Sequence, residues 1–178
     1  MRLLLPLILL SIASLLILII GSAEAGTPTP QWIWQQNKTS DAEVFIRRQW
    51  TQPGPVKSAI LKITGDDRLT VFLNGKKIGS GNNWQNPLQL NLSNRIIPGE
   101  NVISVSGLNL GGLGGVVAIL ELVNKDDSKS ILVTDEKWMV NHATSENWMT
   151  PNIDFKGWVA ATMIGPHGME PWGKILNR

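Results

Sequence analysis

Hydrophobic positions recur along most of this chain with a period of two. Leu69, Val71 and Leu73 alternate with Arg68, Thr70 and Phe72, and Ala59, Leu61 and Ile63 alternate with Ile60 and Lys62. Val44 and Ile46 stand opposite Phe45 and Arg47, and Leu88, Leu90 and Leu92 opposite Gln89, Asn91 and Ser93. Successive side chains of a strand point to opposite faces, so the alternation predicts half-buried strands. Strands are expected over 32–34, 41–49, 57–64, the two arms of a hairpin around Asn74-Gly75, 88–93 and 101–106. Residues 116–123 are almost wholly apolar, which fits a central strand covered on both faces. Shorter strands over 130–134, 137–141 and 157–163 complete the set.

Turn chemistry separates these segments. Asn74 and Gly75 both tolerate positive φ, as a type I′ hairpin turn requires. Gln52-Pro53-Gly54-Pro55 and Ile97-Pro98-Gly99-Glu100 break the chain on either side. Residues 79–87 form a polar loop and residues 107–115 a glycine-rich one. The second lacks the Lys-Ser/Thr of a phosphate-binding loop and lies between two strands, so it reads as a flexible or close-approach turn. No convincing amphipathic helix occurs after residue 25. Many short strands with closely spaced turns predict an all-β, jelly-roll-type β-sandwich.

The N-terminus differs in kind. Met1-Arg2, the apolar run 3–20 and Ala23-Glu24-Ala25 have the order of a secretory signal peptide. Residues 1–25 are therefore expected to be removed, 26–31 with Pro28 and Pro30 to form a linker, and 32–178 the domain. The expected location is secreted or periplasmic. An uncleaved segment would instead anchor the protein in the membrane, its sole predicted membrane contact. The chain has no cysteine, so packing rather than disulfides must hold an exported domain together.

Charge and composition narrow the function. The formal charge is +2 and the lysines are scattered, with no basic stripe for nucleic acid. The chain has eight Trp, three Phe and no Tyr. Trp anchors sandwich cores, and its faces also stack on sugar rings. The two histidines, His142 and His167, lie in no nucleophile motif. Asp66, Asp67, Asp135 and Asp154 fall at strand ends or turns. In the neighbouring Asp66-Asp67 pair, one side chain should point away if the other points in. Asp135 and Asp154 read as turn caps. No catalytic residue and no enzyme activity are predicted, and zinc-ligand spacing is absent.

Two groups of motifs carry a family resemblance. The first is the Leu69–Leu73 strand with its Asn74-Gly75 turn, the Gly79-x-Gly81 loop with Trp84, and Pro98-Gly99-Glu100-Asn101 before the next strand. The second is Thr134-Asp135-Glu136-Lys137-Trp138, Ile153-Asp154-Phe155-Lys156-Gly157-Trp158, and Pro171-Trp172-Gly173. Together they resemble the galactose-binding-like β-sandwich in the non-catalytic sugar-binding domains of bacterial β-galactosidase and α-L-rhamnosidase relatives. Phe155-Lys156-Gly157 departs from that pattern, which usually has Asp or Ser before the Trp. The resemblance implies a freestanding carbohydrate-binding module that holds a glycan or cell-surface polysaccharide. It implies no organic cofactor and is compatible with one structural calcium, although no Asp-x-Asp-x-Asp run supplies a ligand set.

The candidate ligand-binding residues are Asn83, Trp84, Asn109, Trp148 and His167, in loops expected at one end of the sandwich. Trp84 would stack on a sugar face while the amides of Asn83 and Asn109 bond ring hydroxyls. Trp138 and Trp158 are expected to be buried, with Trp172 closing the C-terminal segment. Two other readings stay open. One is a structural or interaction module docking onto another exported protein or the cell wall. The other is a remnant of a glycoside hydrolase.

Overall fold

A computed structural model describes residues 26–36 and 42–177. The predicted signal peptide, 1–25, lies outside the described residues. In chain order the strands are β1 (Gln31–Trp34), β2 (Ala42–Gln52), β3 (Val56–Asp66), β4 (Arg68–Leu73), β5 (Lys76–Gly81) and β6 (Leu88–Asn91). Then follow β7 (Gly99–Asn109), β8 (Gly115–Asn124), β9 (Lys129–Val133), β10 (Met139–Asn141), β11 (Val159–Ala160) and β12 (Thr162–Pro166). A single 3-10 turn, Ile175–Asn177, ends the described chain.

The strands form two antiparallel sheets, the β-sandwich that the alternation predicts. One sheet runs β12-β1-β8-β3-β6, with β9 also paired to β8; the other runs β11-β10-β2-β7-β4-β5. The core lies between them. Ala59, Leu61 and Ile63 of β3 and Val116, Ala118 and Leu120 of β8 meet Val44, Ile46, Val71, Ile103 and Val105 of the other sheet. Each such side chain contributes about 1.5–3 kcal/mol when fully buried. The Asn74-Gly75 turn has φ of 49° and 81°, the two positive values of type I′. Asn74 and Asn101 then tie the turn to β7: Val102 N–H donates to Asn74 Oδ1 at 2.8 Å, and Asn74 Nδ2 to Asn101 Oδ1 at 3.0 Å.

Strand β8 is covered on both faces over its first half. Its outer face meets a second cluster of Trp32, Val117, Trp172, Ile175 and Leu176. There the C-terminal segment folds back, and Trp172 stacks on Trp32 with ring centroids 4.1 Å apart. Trp138 is buried in the main core, its indole N–H donating to the Val133 carbonyl at 2.8 Å.

The structure corrects four sequence expectations. The glycine-rich loop is shorter than 107–115, because β7 continues to Asn109 and β8 begins at Gly115. Gly107 stays in the strand because the Trp34 ring occupies the space of a side chain: a Cβ there would sit 2.9 Å from Cζ3. The expected strand 157–163 is two strands, β11 in one sheet and β12 in the other. The chain changes sheets at buried Ala161, whose N–H donates to the Trp138 carbonyl at 2.7 Å. Residues 137–138 belong to a turn capped by Asp135, which accepts from Lys137 N–H at 3.0 Å. The strand expected over 88–93 stops at Asn91, whose Oδ1 accepts from both Ser93 N–H and Ser93 Oγ and turns the chain.

Candidate functional site

Three chain segments converge at one end of the sandwich. The sheet register sets this: Asp66 pairs with Gly115, Leu69 with Gly81, and Arg68 with Leu108. The β3–β4 turn, the loop after β5 and the β7–β8 loop are therefore neighbours. Thr64 Oγ donates to the Trp84 carbonyl at 2.9 Å and pins the loop after β5 to the end of β3. Asn83 accepts from Gln85 N–H at 2.9 Å through Oδ1, a local turn that leaves its side chain at the surface. Trp84 is half-buried. Part of it packs on the Trp32–Trp172 cluster, and the remainder faces solvent.

The carboxyls of Asp66 and Asp67 sit beside this loop. The sequence expectation was that one would point away from the other. Instead their side chains are within hydrogen-bonding reach of each other. Asp66 Oδ2 accepts from the Trp172 indole N–H at 2.8 Å, and Asp67 Oδ2 from Leu110 N–H at 2.7 Å. Burial pushes the Asp66 carboxyl above its ordinary value. The neighbouring Asp67 adds to the rise, while the Trp172 N–H opposes it. The pair therefore braces two loops from below. Carboxyls in such contact lack the gap of about 5–9.5 Å that glycoside hydrolysis places between its two acids.

The β7–β8 loop lies at the same end of the sandwich. Asn109 is buried, with Oδ1 accepting from Gly111 N–H at 3.1 Å and Nδ2 donating to the Gly112 carbonyl at 3.2 Å. Gly112 has φ of 73°, and a Cβ on Gly114 would lie 2.8 Å from the Trp34 ring, so glycine answers both the turn and the close approach. This is the close-approach reading of the sequence. The loop carries Leu110 and Leu113, 49% and 42% exposed.

The five candidates do not form one constellation. Asn83, Trp84 and Asn109 share this end of the sandwich, but Asn109 is fully buried and its amide holds the glycine loop, so the expected bonds from it to sugar hydroxyls do not fit. Trp148 does not share this end: it lies over the outer face of the second sheet, edge-on to Phe45 and Phe72 with centroids at 5.1 and 5.7 Å. Burial to 6% exposure leaves it no ring face for a sugar. His167 stands apart as well. It lines a groove with Lys62, Glu121 and Lys174 where residues 27–30 meet the C-terminal segment. Its Nε2 accepts from Leu176 N–H at 3.0 Å, and burial first, then Lys174, hold its pKa below the ordinary value. Asp66 and Asp67, read from the sequence as strand-end acids with no binding role, lie at this end beside the candidate loop. Their signal was two acids at a strand end, beside a polar loop carrying a Trp.

A cation fits this end only in part. Among the described residues no three His, Cys, Asp or Glu side chains come together, whereas calcium takes about 6–8 oxygens, several of them carboxylate. Asp66 and Asp67 are the acidic oxygens on offer here. Loop carbonyls would have to supply the rest.

No protein-family model matches the chain. It is 26% identical over 157 residues to an α-L-rhamnosidase of Streptomyces avermitilis, across 81% of this chain but 15% of that protein. The crystal structure of an S. avermitilis α-L-rhamnosidase complexed with L-rhamnose superposes with a TM-score of 0.77 at 23% identity, over 84% of this chain and 16% of that one. A lectin from Pleurotus ostreatus in complex with GalNAc gives 0.74 at 28% identity, over 83% and 45%. A GH78 family rhamnosidase of a Bacillus species gives 0.71 at 26%, over 80% and 19%. The chain thus spans less than a fifth of each rhamnosidase and under half of the lectin. It has the galactose-binding-like β-sandwich fold of modules related to glycoside hydrolases, and the lectin likeness supports a carbohydrate-binding module.

Proposed function

We propose that this protein is an exported, non-catalytic carbohydrate-binding module whose sugar rests at the Trp84 end of the sandwich. The observation that carries the reading is Trp84 itself. It is a tryptophan held by its own backbone, partly exposed, beside a carboxyl pair and a glycine loop that Asn109 holds. The ring offers a flat apolar face to the C–H side of a sugar. The exposed amide of Asn83 offers both a donor and an acceptor to its hydroxyls. Leu110 and Leu113 lie on the loop opposite and would favour a sugar with an apolar edge, such as the methyl group of a 6-deoxyhexose. The likenesses to a rhamnosidase seen with L-rhamnose and a lectin seen with GalNAc support this choice of ligand class.

Titration calorimetry with L-rhamnose, GalNAc and oligosaccharides that end in them tests the proposal, with Trp84→Ala as the control. Binding to at least one sugar that the variant loses is the expected result. No binding across a plant, bacterial and algal glycan array would instead favour a module that docks onto another exported protein or the cell wall. Export is part of the proposal: the protein recovered from the medium or periplasm should begin at Gly26. A retained leader would make it a membrane-anchored binder.

A further inference from the structure

The outer face of the second sheet divides into two halves. Residues 142–158 cross one half and cover it with Trp148 and Trp158. The other half is an open groove of about 480 Å³ lined by Glu43, Arg68, Thr70, Lys77, Ser80 and Ser106, among others. Alternation along the strands explains the lining. In β4, Leu69, Val71 and Leu73 face the core, so Arg68 and Thr70 face out. Thr70 pairs with Ser80 on one side and Ser106 on the other, which places hydroxyls in one row across β5, β4 and β7. A bulge between Val71 and Phe72 brings Lys77 opposite Phe72 on this same face. Bulges re-aim side chains in this way.

The charges of the groove are arranged, not scattered. Arg68 and Lys77 have no ion-pair partner among the described residues. They flank the hydroxyl row along the strand direction, Arg68 on one side and Lys77, opposite Phe72, on the other. Their backbones are about 13 Å apart at the usual strand rise. Glu43, held by Ser106 Oγ at 2.8 Å, stands in the row of Arg68 but two strands away, on the far side of Leu108, or about 10 Å at ordinary strand spacing. Among the described residues, the groove's cations therefore sit on the β4–β5 side and its one acid on the β2 side. No aromatic ring of the described residues lines the groove, so recognition there rests on charge and hydrogen bonds.

We infer that this groove binds an extended, acidic saccharide. Arg68 and Lys77 would take anionic groups, Thr70, Ser80 and Ser106 the hydroxyls between them, and Glu43 the hydroxyls at the far edge. A planar guanidinium suits a carboxylate or a sulfate ester, which it can hold through two parallel hydrogen bonds. The span between the cations asks for more than one ring. The groove is separate from the Trp84 end and does not depend on that assignment, although Arg68 follows Asp67 and Asn82 precedes Asn83. One longer glycan could touch both.

The test is an NMR titration with three probes: a galacturonate trisaccharide, its methyl ester, and a sulfated galactose trisaccharide. The amides of Thr70, Ser80 and Ser106 report on the groove, and the Trp84 indole N–H, read with L-rhamnose, reports on the sandwich end. The acidic trisaccharide, the sulfated one, or both should shift the groove amides, and which does so identifies the anionic group. The methyl ester should not shift them. Arg68→Gln with Lys77→Gln should weaken binding of the acidic probe about tenfold or more, the loss of charge-assisted hydrogen bonds, and leave the indole response to L-rhamnose intact. Added salt should weaken groove binding in the same direction. Groove amides that ignore both anionic probes, a methyl ester that binds as well as the acid, or a double variant with unchanged affinity would each overturn the inference. A groove that responds while the indole is silent would uphold it and count against the Trp84 site instead.

Discussion

Trp84 and Trp148 both lie in polar loops, both follow an asparagine, and local sequence hardly separates them. The structure gives them opposite surroundings. Trp148 is wedged against Phe45 and Phe72 and lies near-parallel to Trp158, with centroids 6.4 Å apart. Trp158 in turn lies 5.8 Å from the Arg47 guanidinium carbon, and Phe155 lies 5.0 Å from it. Arg47 is itself buried, with one Nη bonded to the Thr150 carbonyl at 2.9 Å. That assembly is a strap sealed onto a sheet. Trp84 has a packed side and an open side, and its loop is held by backbone contacts rather than by the ring. A loop tryptophan keeps an open face when something other than its ring holds the loop in place.

The largest expected effect lies on the Trp148 side. Trp148→Ala and Trp158→Ala should each cost about 3–5 kcal/mol, as deletion of a buried aromatic does, and the loss is read as a lowered denaturation midpoint. Whatever fraction stays folded should bind glycan as before. A Trp148→Ala protein with unchanged stability and lost binding would reverse the roles of the two tryptophans.

Gly107→Ala probes the frame behind the Trp84 end. Its Cβ would meet the Trp34 ring at 2.9 Å, and overpacking of this kind costs about 1–3 kcal/mol. Chemical denaturation should show the loss, and Gly54→Ala, with nothing near its Cβ, is the comparison. Equal stability of the two variants would mean that the Trp34 ring moves aside freely.

Trp84→Ala should act mainly on binding. A fall in glycan affinity of about tenfold, or 1.4 kcal/mol, is expected for one stacking face, with a smaller change in melting temperature than Trp148→Ala causes. Circular dichroism melts and calorimetry on the same samples separate the two quantities.

The smallest effect concerns Asp66. Its pKa is raised in the folded state, so over the interval between the ordinary carboxylate value and the raised one the folded protein binds more protons than the unfolded chain. Stability from this group is therefore full at acid pH and falls as pH rises through that interval. Asp66→Asn keeps an acceptor for the Trp172 N–H and should flatten this dependence in melts run across the mildly acidic range. A slope identical to the parent's would assign the dependence to another group.

The order of the strands, the hairpin turn and the inward sets of apolar residues were legible in the sequence, because a half-buried strand imposes its period locally. Asp135 and Asp154 were legible as turn caps for the same reason: Asp154 accepts from Lys156 N–H at 2.9 Å, two residues on. Burial of Trp138 and Trp158 followed from their position among the motifs, and Trp172 closes the C-terminal segment as expected, by stacking on Trp32. Only the tertiary structure decided where distant segments meet. It separated Trp148 and His167 from Trp84, joined Asp66 to Trp172 across 106 residues, kept Gly107 in a strand beneath Trp34, and split one apolar run between two sheets at Ala161. These contacts depend on register and on packing between elements far apart in sequence, which no local pattern encodes. The sequence by itself determined a β-sandwich rich in tryptophan. Which tryptophan faces solvent, and which half of a sheet stays open, were decided when the loops packed down on it.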